Sequence, residues 1–338
     1  MLIRETIEEM ERRNLSPYAT LNQESKGRDR EEPQCDIRPL FQRDRDRILH
    51  CKAFRRLRNK TQVFLAPMGD HYRTRMSHTL EVSQNARTIA KALRMNEDLV
   101  EAIALGHDLG HTPFGHAGEL TLNEVAPDGF DHSEQSVRIV EKLERDGAGL
   151  NLTWEVRDGI RNHQTHSVPS TPEGQIVRLS DKIAYINSDI DDAVRARLLS
   201  EQDIPGEIRR ALGSSIRQRL DRLIHDVITN SMDSPEIHMS AEVEQAMFDL
   251  RRFLFEHVYR NPEAKSEEIK AKRMIRMLYQ YYVEHPEALP EKYRQLALEG
   301  PDRPERIICD YISGMTDSYA TSKFSELFIP LSWEVEGY

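Results

Sequence analysis

Thirteen histidines are spread over 338 residues, and five of them, at positions 78, 107, 111, 116 and 132, fall close together. Clustered imidazoles with carboxylates nearby are the usual donors for a divalent cation. His107-Asp108 is an adjacent pair at the end of an apolar run. Side chains one residue apart on a helix diverge by about 100°, so that pair can share an ion only at the helix flank. The remaining ligands must then come from elsewhere. His78, near the start of the preceding helical stretch, is one candidate. Asp181, on a later helix and off its apolar stripe, is another. Two imidazoles with two carboxylates make a mixed, fairly hard site that suits Mn, Mg, Fe, Ni, Co or Zn and leaves positions for water and a phosphate oxygen. Such an ion polarises a phosphoryl oxygen and lowers the pKa of water towards neutrality. Taken singly, each residue has a plainer explanation. A histidine beside an apolar face is usually a satisfied core residue, and an aspartate at a helix end is usually a cap. The combined order His78, His107-Asp108, Asp181 is harder to obtain by accident.

Those residues need helices to carry them. Val82, Ala86, Ile89, Ala90 and Leu93 recur at helical spacing and predict a helix over 77–94. Asn96 can cap the next, with Glu97 and Asp98 in the first turn, where the macrodipole favours acids. That helix runs through Leu99, Val100, Ala102, Ile103 and Leu105 into Gly106-His107-Asp108, and Gly110 and Thr112-Pro113 end it. A third helix begins near Gly115 and a fourth follows Asp131-His132-Ser133. Thr171 as cap and Pro172 at the first helical position open a long helix to about Leu199. Its apolar stripe is Ile176, Leu179, Ile183, Ile186, Ile190 and Val194. Further helices are expected over 206–229, 240–258, 264–284, 290–298 and 303–328. Thr61–Leu65 alone reads as a strand, one arm of a short hairpin. With no βαβ alternation, no glycine-rich phosphate loop and no repeat, the fold class is all-α. We expect a catalytic helical domain over 1–200, preceded by an arm of about 1–40, and a helical C-terminal region over 201–338 packed on it. The linker candidates are 228–240 and 285–304.

The formal net charge is −10 and 31% of residues are charged, which argues against a general nucleic-acid coat protein, whose affinity rests on Lys and Arg meeting phosphates. A local anion site stays open, because Arg43, Arg45, Arg47, Arg55, Arg56, Arg58 and Lys60 crowd one stretch. The plain alternative is a solvated helix face. No apolar run approaches the ~20 residues that cross a bilayer, and MLIRETIEEM lacks the regions of a secretory signal. Cys35, Cys51 and Cys309 are too widely spaced for a disulfide framework or a zinc knuckle. Reduced thiols in a cytoplasmic protein are the expectation.

The flanks of the candidate ligands narrow the reading. Arg75-Met-Ser-His78, Gly106-His-Asp-Leu-Gly-His-Thr-Pro-Phe-Gly-His-Ala-Gly-Glu119 and Ser180-Asp-Lys-Ile-Ala-Tyr185 resemble, block by block, the dGTP triphosphohydrolases of the HD superfamily. So do Phe41-Gln-Arg-Asp-Arg-Asp-Arg-Ile48, Phe54-Arg-Arg-Leu57, Lys60-Thr-Gln-Val-Phe64 and Gly314-Met-Thr-Asp317. The resemblance runs from about residue 26 to 330. It implies an HD-domain helical bundle with additional C-terminal helices and one divalent metal ion on His78, His107, Asp108 and Asp181. It further implies hydrolysis of deoxynucleoside triphosphates at the α-phosphorus, giving deoxynucleoside and inorganic triphosphate, in control of dNTP pools. Members of that family often assemble as homo-oligomers, hexamers among them, and some are activated by a second dNTP.

Roles carry over position by position. His116 matches the family's catalytic histidine, the acid for the departing 5′-oxygen. Glu119 lies one helical turn on, where a carboxylate can orient the imidazole and favour its protonated form. Arg75, one turn before His78, and His111, four residues after His107, match phosphate contacts, and Lys182 matches the residue that neutralises the distal phosphates. Tyr185 and Asp189 share a helical stripe with Asp181 and match positions that contact the sugar and its 3′-hydroxyl. Gln62 matches a residue beside sugar and base. His132 is a candidate second histidine near the water, while His163 and His166 read as structural or exposed.

An HD-type monophosphatase or phosphodiesterase would use the same four ligands, but Arg75, His111 and Lys182 would be superfluous for a monophosphate. A non-catalytic nucleotide sensor or single-strand-binding module would need no leaving-group acid, so His116 with Glu119 argues against it.

Overall fold

The computed structural model describes residues 2–62, 73–259 and 262–330, and among them the secondary structure is helical, with no strand. The amino-terminal part contains α1 (Ile3–Asn14), α2 (Leu40–Leu49) and the single turn α3 (Lys52–Arg56). Thr61 pairs with Thr74 as an isolated antiparallel bridge. The rest of the strand expected over 61–65 lies outside the described residues.

The ligand-bearing helices begin where side-chain caps satisfy their free N–H groups. Thr74 caps α4 (Arg75–Ala92) by accepting from Ser77 N, and Ser77 Oγ accepts from Thr74 N in return. Asn96 caps α5 (Glu97–Gly106) through Leu99 N. Next come α6 (Gly115–Val125), α7 (His132–Arg138), which runs on into a π-helical turn over Ile139–Leu143, and α8 (Trp154–Arg161). Thr171, with Pro172 behind it, opens α9 (Pro172–Arg195). The long helix therefore ends short of Leu199, and its apolar stripe ends at Ile190, because Val194 is 36% exposed.

The stretch expected as one helix over 206–229 is two, α10 (Gly206–Leu212) and α11 (Ile216–Ser231). Gly213, at φ 108, breaks it in a conformation that side chains rarely adopt. Then follow α12 (Ala241–His257), α13 (Pro262–Glu284), α14 (Glu291–Glu299), α15 (Pro304–Ser313) and α16 (Asp317–Phe328). The last two replace a single expected helix over 303–328, and α14 matches the helix expected over 290–298, inside the stretch also offered as a linker.

The main core forms where α4 packs on both α5 and α9. Val82, Ala86 and Ile89 meet Leu99, Ile103, Ile176, Ile183 and Ile190, all fully buried. That core continues without a break to Val258, past residue 200. A second apolar cluster joins Leu122 and Phe130 to Ile275, Leu278, Ile307, Ile308 and Ile312, so α6 is gripped by α13. The amino-terminal arm is tied down by a buried carboxylate. Glu173 accepts from Thr20 N at 2.9 Å, Thr20 Oγ1 at 2.8 Å and Asn96 N at 3.1 Å. The cations of 43–60 are mostly structural: Arg43 and Arg47 pair with Glu32, Arg45 pairs with Asp98 and Glu101, and Lys60 is buried.

Ile183 lies at the centre of the seam that holds α9 in place. Ile183→Ala is expected to cost about 2–5 kcal/mol, read as a lower urea midpoint at unchanged denaturant slope. A midpoint equal to the parent's would show that the seam does not hold α9.

Candidate active site

Three helices bring the candidate ligands together. The capped start of α4 places Arg75 in its first turn and His78 one turn later. The end of α5 delivers His107 and Asp108, and α9 passes alongside with Asp181. The turn after α5 is fixed by contact with α7. Ser136 Oγ donates to His107 O and accepts from Gly110 N, both at 2.8 Å. A Cβ on Gly110 would lie 2.3 Å from His132 O and from Ser136 N, both backbone atoms, so glycine is needed for this approach.

His78 Nε2 lies 3.0 Å from Asp181 Oδ1, and His107 Nε2 lies 3.3 Å from Asp108 Oδ1 and 3.7 Å from Asp181 Oδ1. His107 Nδ1 donates to Ala104 O at 2.7 Å, which leaves an Nε2 lone pair facing the two carboxylates. That nitrogen is buried and has no hydrogen-bond partner among the described residues. A buried imidazole lone pair aimed at two carboxylates is a poor arrangement by itself and a good one around a cation. His78, His107, Asp108 and Asp181 could therefore hold a divalent ion, and their donor set fits one.

The charges agree. Burial would raise the Asp108 carboxyl, but His107, His111 and Arg75 outweigh it and hold it well below the usual range. Arg75 Nη1 donates to Asp108 Oδ2 at 2.9 Å and His111 Nε2 lies 3.1 Å from Oδ1. Burial likewise opposes the ionisation of Asp181, yet its hydrogen bond with His78, foremost among the neighbouring histidines, brings it to about 2. Burial, with Arg75 and His132 behind it, pushes His111 down to about 3. At neutral pH the centre thus holds two carboxylates beside a neutral His111.

Beside this centre lies a second histidine group. Glu119 Oε1 accepts from His132 N at 2.9 Å and pairs with His132 Nδ1 at 2.7 Å, and His132 Nε2 lies 3.2 Å from His163 Nε2. The His111 and His132 rings stack at 3.8 Å. Burial works against a charged Glu119, but His132, His116 and His111 hold its carboxyl well below its ordinary range. His116 is 79% exposed at its side chain, with Nδ1 3.9 Å from Glu119 Oε2. Glu119 therefore hydrogen-bonds His132 here and has His116 as its next neighbour. His163, expected to be structural or exposed, is buried with its ring 5.1 Å from that of His107. No spacing signal reveals it, because it follows α8, remote in sequence from the motif. His166 is exposed.

The residues matched to the substrate sit around this centre. Lys182 is half-buried, its pKa lowered by burial and by Arg178, and it has no hydrogen bond or ion pair among the described residues. Burial pushes the Tyr185 hydroxyl up to about 12. Asp189 is buried; its Oδ2 accepts from the Tyr259 hydroxyl, its Oδ1 has no partner among the described residues, and burial pushes it up to about 7. Tyr259 follows α12 and carried no signal in the sequence. Gln62 Oε1 is buried without a partner among the described residues.

With the geometry in hand, comparisons place the chain. A family model described as the HD domain matches residues 75–186, the segment from Arg75 through Tyr185. A second, the phosphohydrolase-associated domain, matches residues 237–326. Fold and centre together define an HD-type phosphohydrolase. The chain is 59% identical to a deoxyguanosinetriphosphate triphosphohydrolase-like protein of Caldanaerobacter subterraneus subsp. tengcongensis, covering 98% of each. Proteins of the same description from Clostridium perfringens and Geobacter sulfurreducens are 49% and 39% identical, over 98% of this chain and 98% and 99% of theirs. This chain belongs to the family of deoxyguanosinetriphosphate triphosphohydrolase-like proteins.

A cation that binds only the folded centre must stabilise the fold, by about 2.7 kcal/mol at a hundredfold excess over Kd. Mn2+ is therefore expected to raise the melting temperature of the metal-stripped protein, and Asp181→Ala to abolish that rise while keeping the helical circular dichroism. A full Mn2+ shift in the Asp181→Ala protein would remove Asp181 from the ligand set.

Proposed function

We propose that this protein hydrolyses deoxynucleoside triphosphates at the α-phosphorus, releasing a deoxynucleoside and intact inorganic triphosphate, in control of dNTP pools. The observation that carries the reading is the buried His107 Nε2 lone pair between two ionised carboxylates, with Arg75 and His111 on the same carboxylate. His78, His107, Asp108 and Asp181 would hold one divalent ion, for which Mn, Mg, Fe, Ni, Co and Zn all suit the donors. When bound, that ion supplies polarisation of a phosphoryl oxygen and acidification of water.

The chain's own residues do the rest. Arg75, already oriented by Asp108, presents its remaining donors to phosphate. His111 is neutral and can accept or donate beside the same phosphate. Lys182 has no hydrogen bond or ion pair among the described residues, as would suit a residue awaiting the distal phosphates. Tyr185 and Asp189 bind the sugar, and Asp189, ionising only near 7, can donate or accept at a hydroxyl. Gln62 has a buried carbonyl oxygen, unpaired among the described residues, to offer sugar or base. His116 carries the proton to the departing 5′-oxygen, with the Glu119 charge beside it. These residues fall within the proposed catalytic domain, 1–200, with 201–338 packed on it. Among the described residues no helix is long and apolar enough to cross a membrane. A cytoplasmic homo-oligomer, a hexamer responsive to a second dNTP, completes the proposal.

Chromatography of a partial digest tests the bond that breaks. Deoxynucleoside and triphosphate should appear in equal amounts, without dNDP or dNMP. Lys182→Ala should impair dNTP hydrolysis far more than hydrolysis of a monophosphate ester. Accumulation of dNMP with pyrophosphate, or orthophosphate released from a dNMP, would make the protein an HD-type phosphodiesterase or monophosphatase. His116→Ala should keep Mn2+ and substrate binding and lower kcat by about 10²–10⁴-fold, the usual worth of a positioned acid. Unchanged turnover with weakened binding would make His116 a substrate ligand instead.

A further inference from the structure

The segment between α5 and α6 turns through two successive left-handed residues, Phe114 at φ 61 and Gly115 at φ 54. Phe114 is the N-cap of α6, yet no side-chain cap closes that helix. A left-handed phenylalanine is unfavourable alone, so a group outside the loop must hold it. That group is the Asp317 carboxylate, at the first turn of α16. Its Oδ1 accepts from Phe114 N at 2.9 Å. Its Oδ2 accepts from Thr61 N at 2.9 Å and from the Thr61 hydroxyl.

One carboxylate therefore joins the segment that carries Gln62 to the start of the helix that carries His116. Gly115 lies in the narrow gap this leaves, where a Cβ would sit 3.3 Å from Arg75 Nη2 and from Gln62 O. A second tie runs parallel to the first. Lys60 is 2% exposed, and its Nζ donates to His111 O and, at 2.7 Å, to Ser313 O. The short turn between α15 and α16 is thus fastened at both ends to the loop that leads to His116. The carboxylate bonds of Asp317 go to Thr61 and Phe114, and to none of the four candidate metal ligands.

We propose that Asp317 is a positioning residue for the acid step: it holds the first turn of α6, and with it His116, in register with Arg75 and Gln62 on the phosphate side. The inference rests on the reading of His116 as the leaving-group acid. Carboxylate chemistry is needed because both oxygens must accept. An asparagine can accept at one end only and would set its N–H₂ against an N–H at the other.

A double-mutant cycle tests this, using the Mn2+-loaded full chain, the dNTP it turns over fastest, and the Asp317→Asn, His116→Ala and double variants. Asp317→Asn is expected to lower kcat about 10²-fold, the effect of a small misplacement, with KM and bound Mn2+ unchanged. In the His116→Ala background it is expected to lower kcat no further. Full kcat in Asp317→Asn, or losses that multiply in the double variant, would overturn the inference while leaving the His116 reading intact. A His116→Ala enzyme with parental kcat would overturn that reading, and the inference with it. If Asp317→Asn does not fold, Thr61→Val, which removes one donor, replaces it in the same cycle: a loss that vanishes without His116 supports the proposal, and an independent loss or none overturns it.

Discussion

Two ionised carboxylates, Asp108 and Asp181, sit beside His78 and His107 at the junction of three apolar helices. Taking an ion out of water costs several kcal/mol, even after the protein relaxes around it. Arg75 offsets part of this for Asp108, and His78 does the same for Asp181. The His107 Nε2 lone pair has no hydrogen-bond partner among the described residues. Most of the surrounding structure answers this local excess of negative charge and lone pairs. The seam of α4, α5 and α9 is stiff enough to hold four ligand atoms in place against repulsion, and close-packed interiors of this kind deform little.

The second tier follows from the first. Glu119 is a further, half-buried carboxylate beside these two, and it stays ionised because His132 donates to it and His116 and His111 stand near. Its environment differs from that of Asp108 and Asp181 in having an open side, where His116 is exposed. An enclosed candidate ion site with an exposed histidine at its rim suits the proposed substrate, which must enter, lose one ester bond and leave in two pieces.

The sequence made the candidate ligands legible because His78, His107 and Asp108 lie near a helix start or end with a strong local signal, and Asp181 lies off the apolar stripe of α9. Thr74, Asn96 and Thr171 are caps whose side chains accept as their types suggest, and the apolar spacing of α5 and α9 survives in the core. Where the reading failed, long-range contacts had decided. His163 and Tyr259 join the site from the ends of α8 and α12, remote in sequence from any motif. The breaks at Gly213 and at Gly314–Thr316 split helices whose apolar pattern continues across them, so periodicity alone could not find them. Helix α1 lies in what read as an arm, and is tied to the chain that follows it by Glu11, which accepts from Asn22 Nδ2 at 2.6 Å and from Asn22 N at 3.2 Å. The role of Asp317 was invisible for a similar reason, since its partners Thr61 and Phe114 lie far away in the chain.

The phosphorus that water attacks decides the reaction. Turnover of a dNTP in 18O-enriched water with Mn2+, followed by mass spectrometry of both products, reports that directly. Attack of water on the α-phosphorus with the 5′-oxygen leaving predicts one 18O in each triphosphate and none in the deoxynucleoside. Label in the deoxynucleoside, or labelled pyrophosphate beside dNMP, would contradict it.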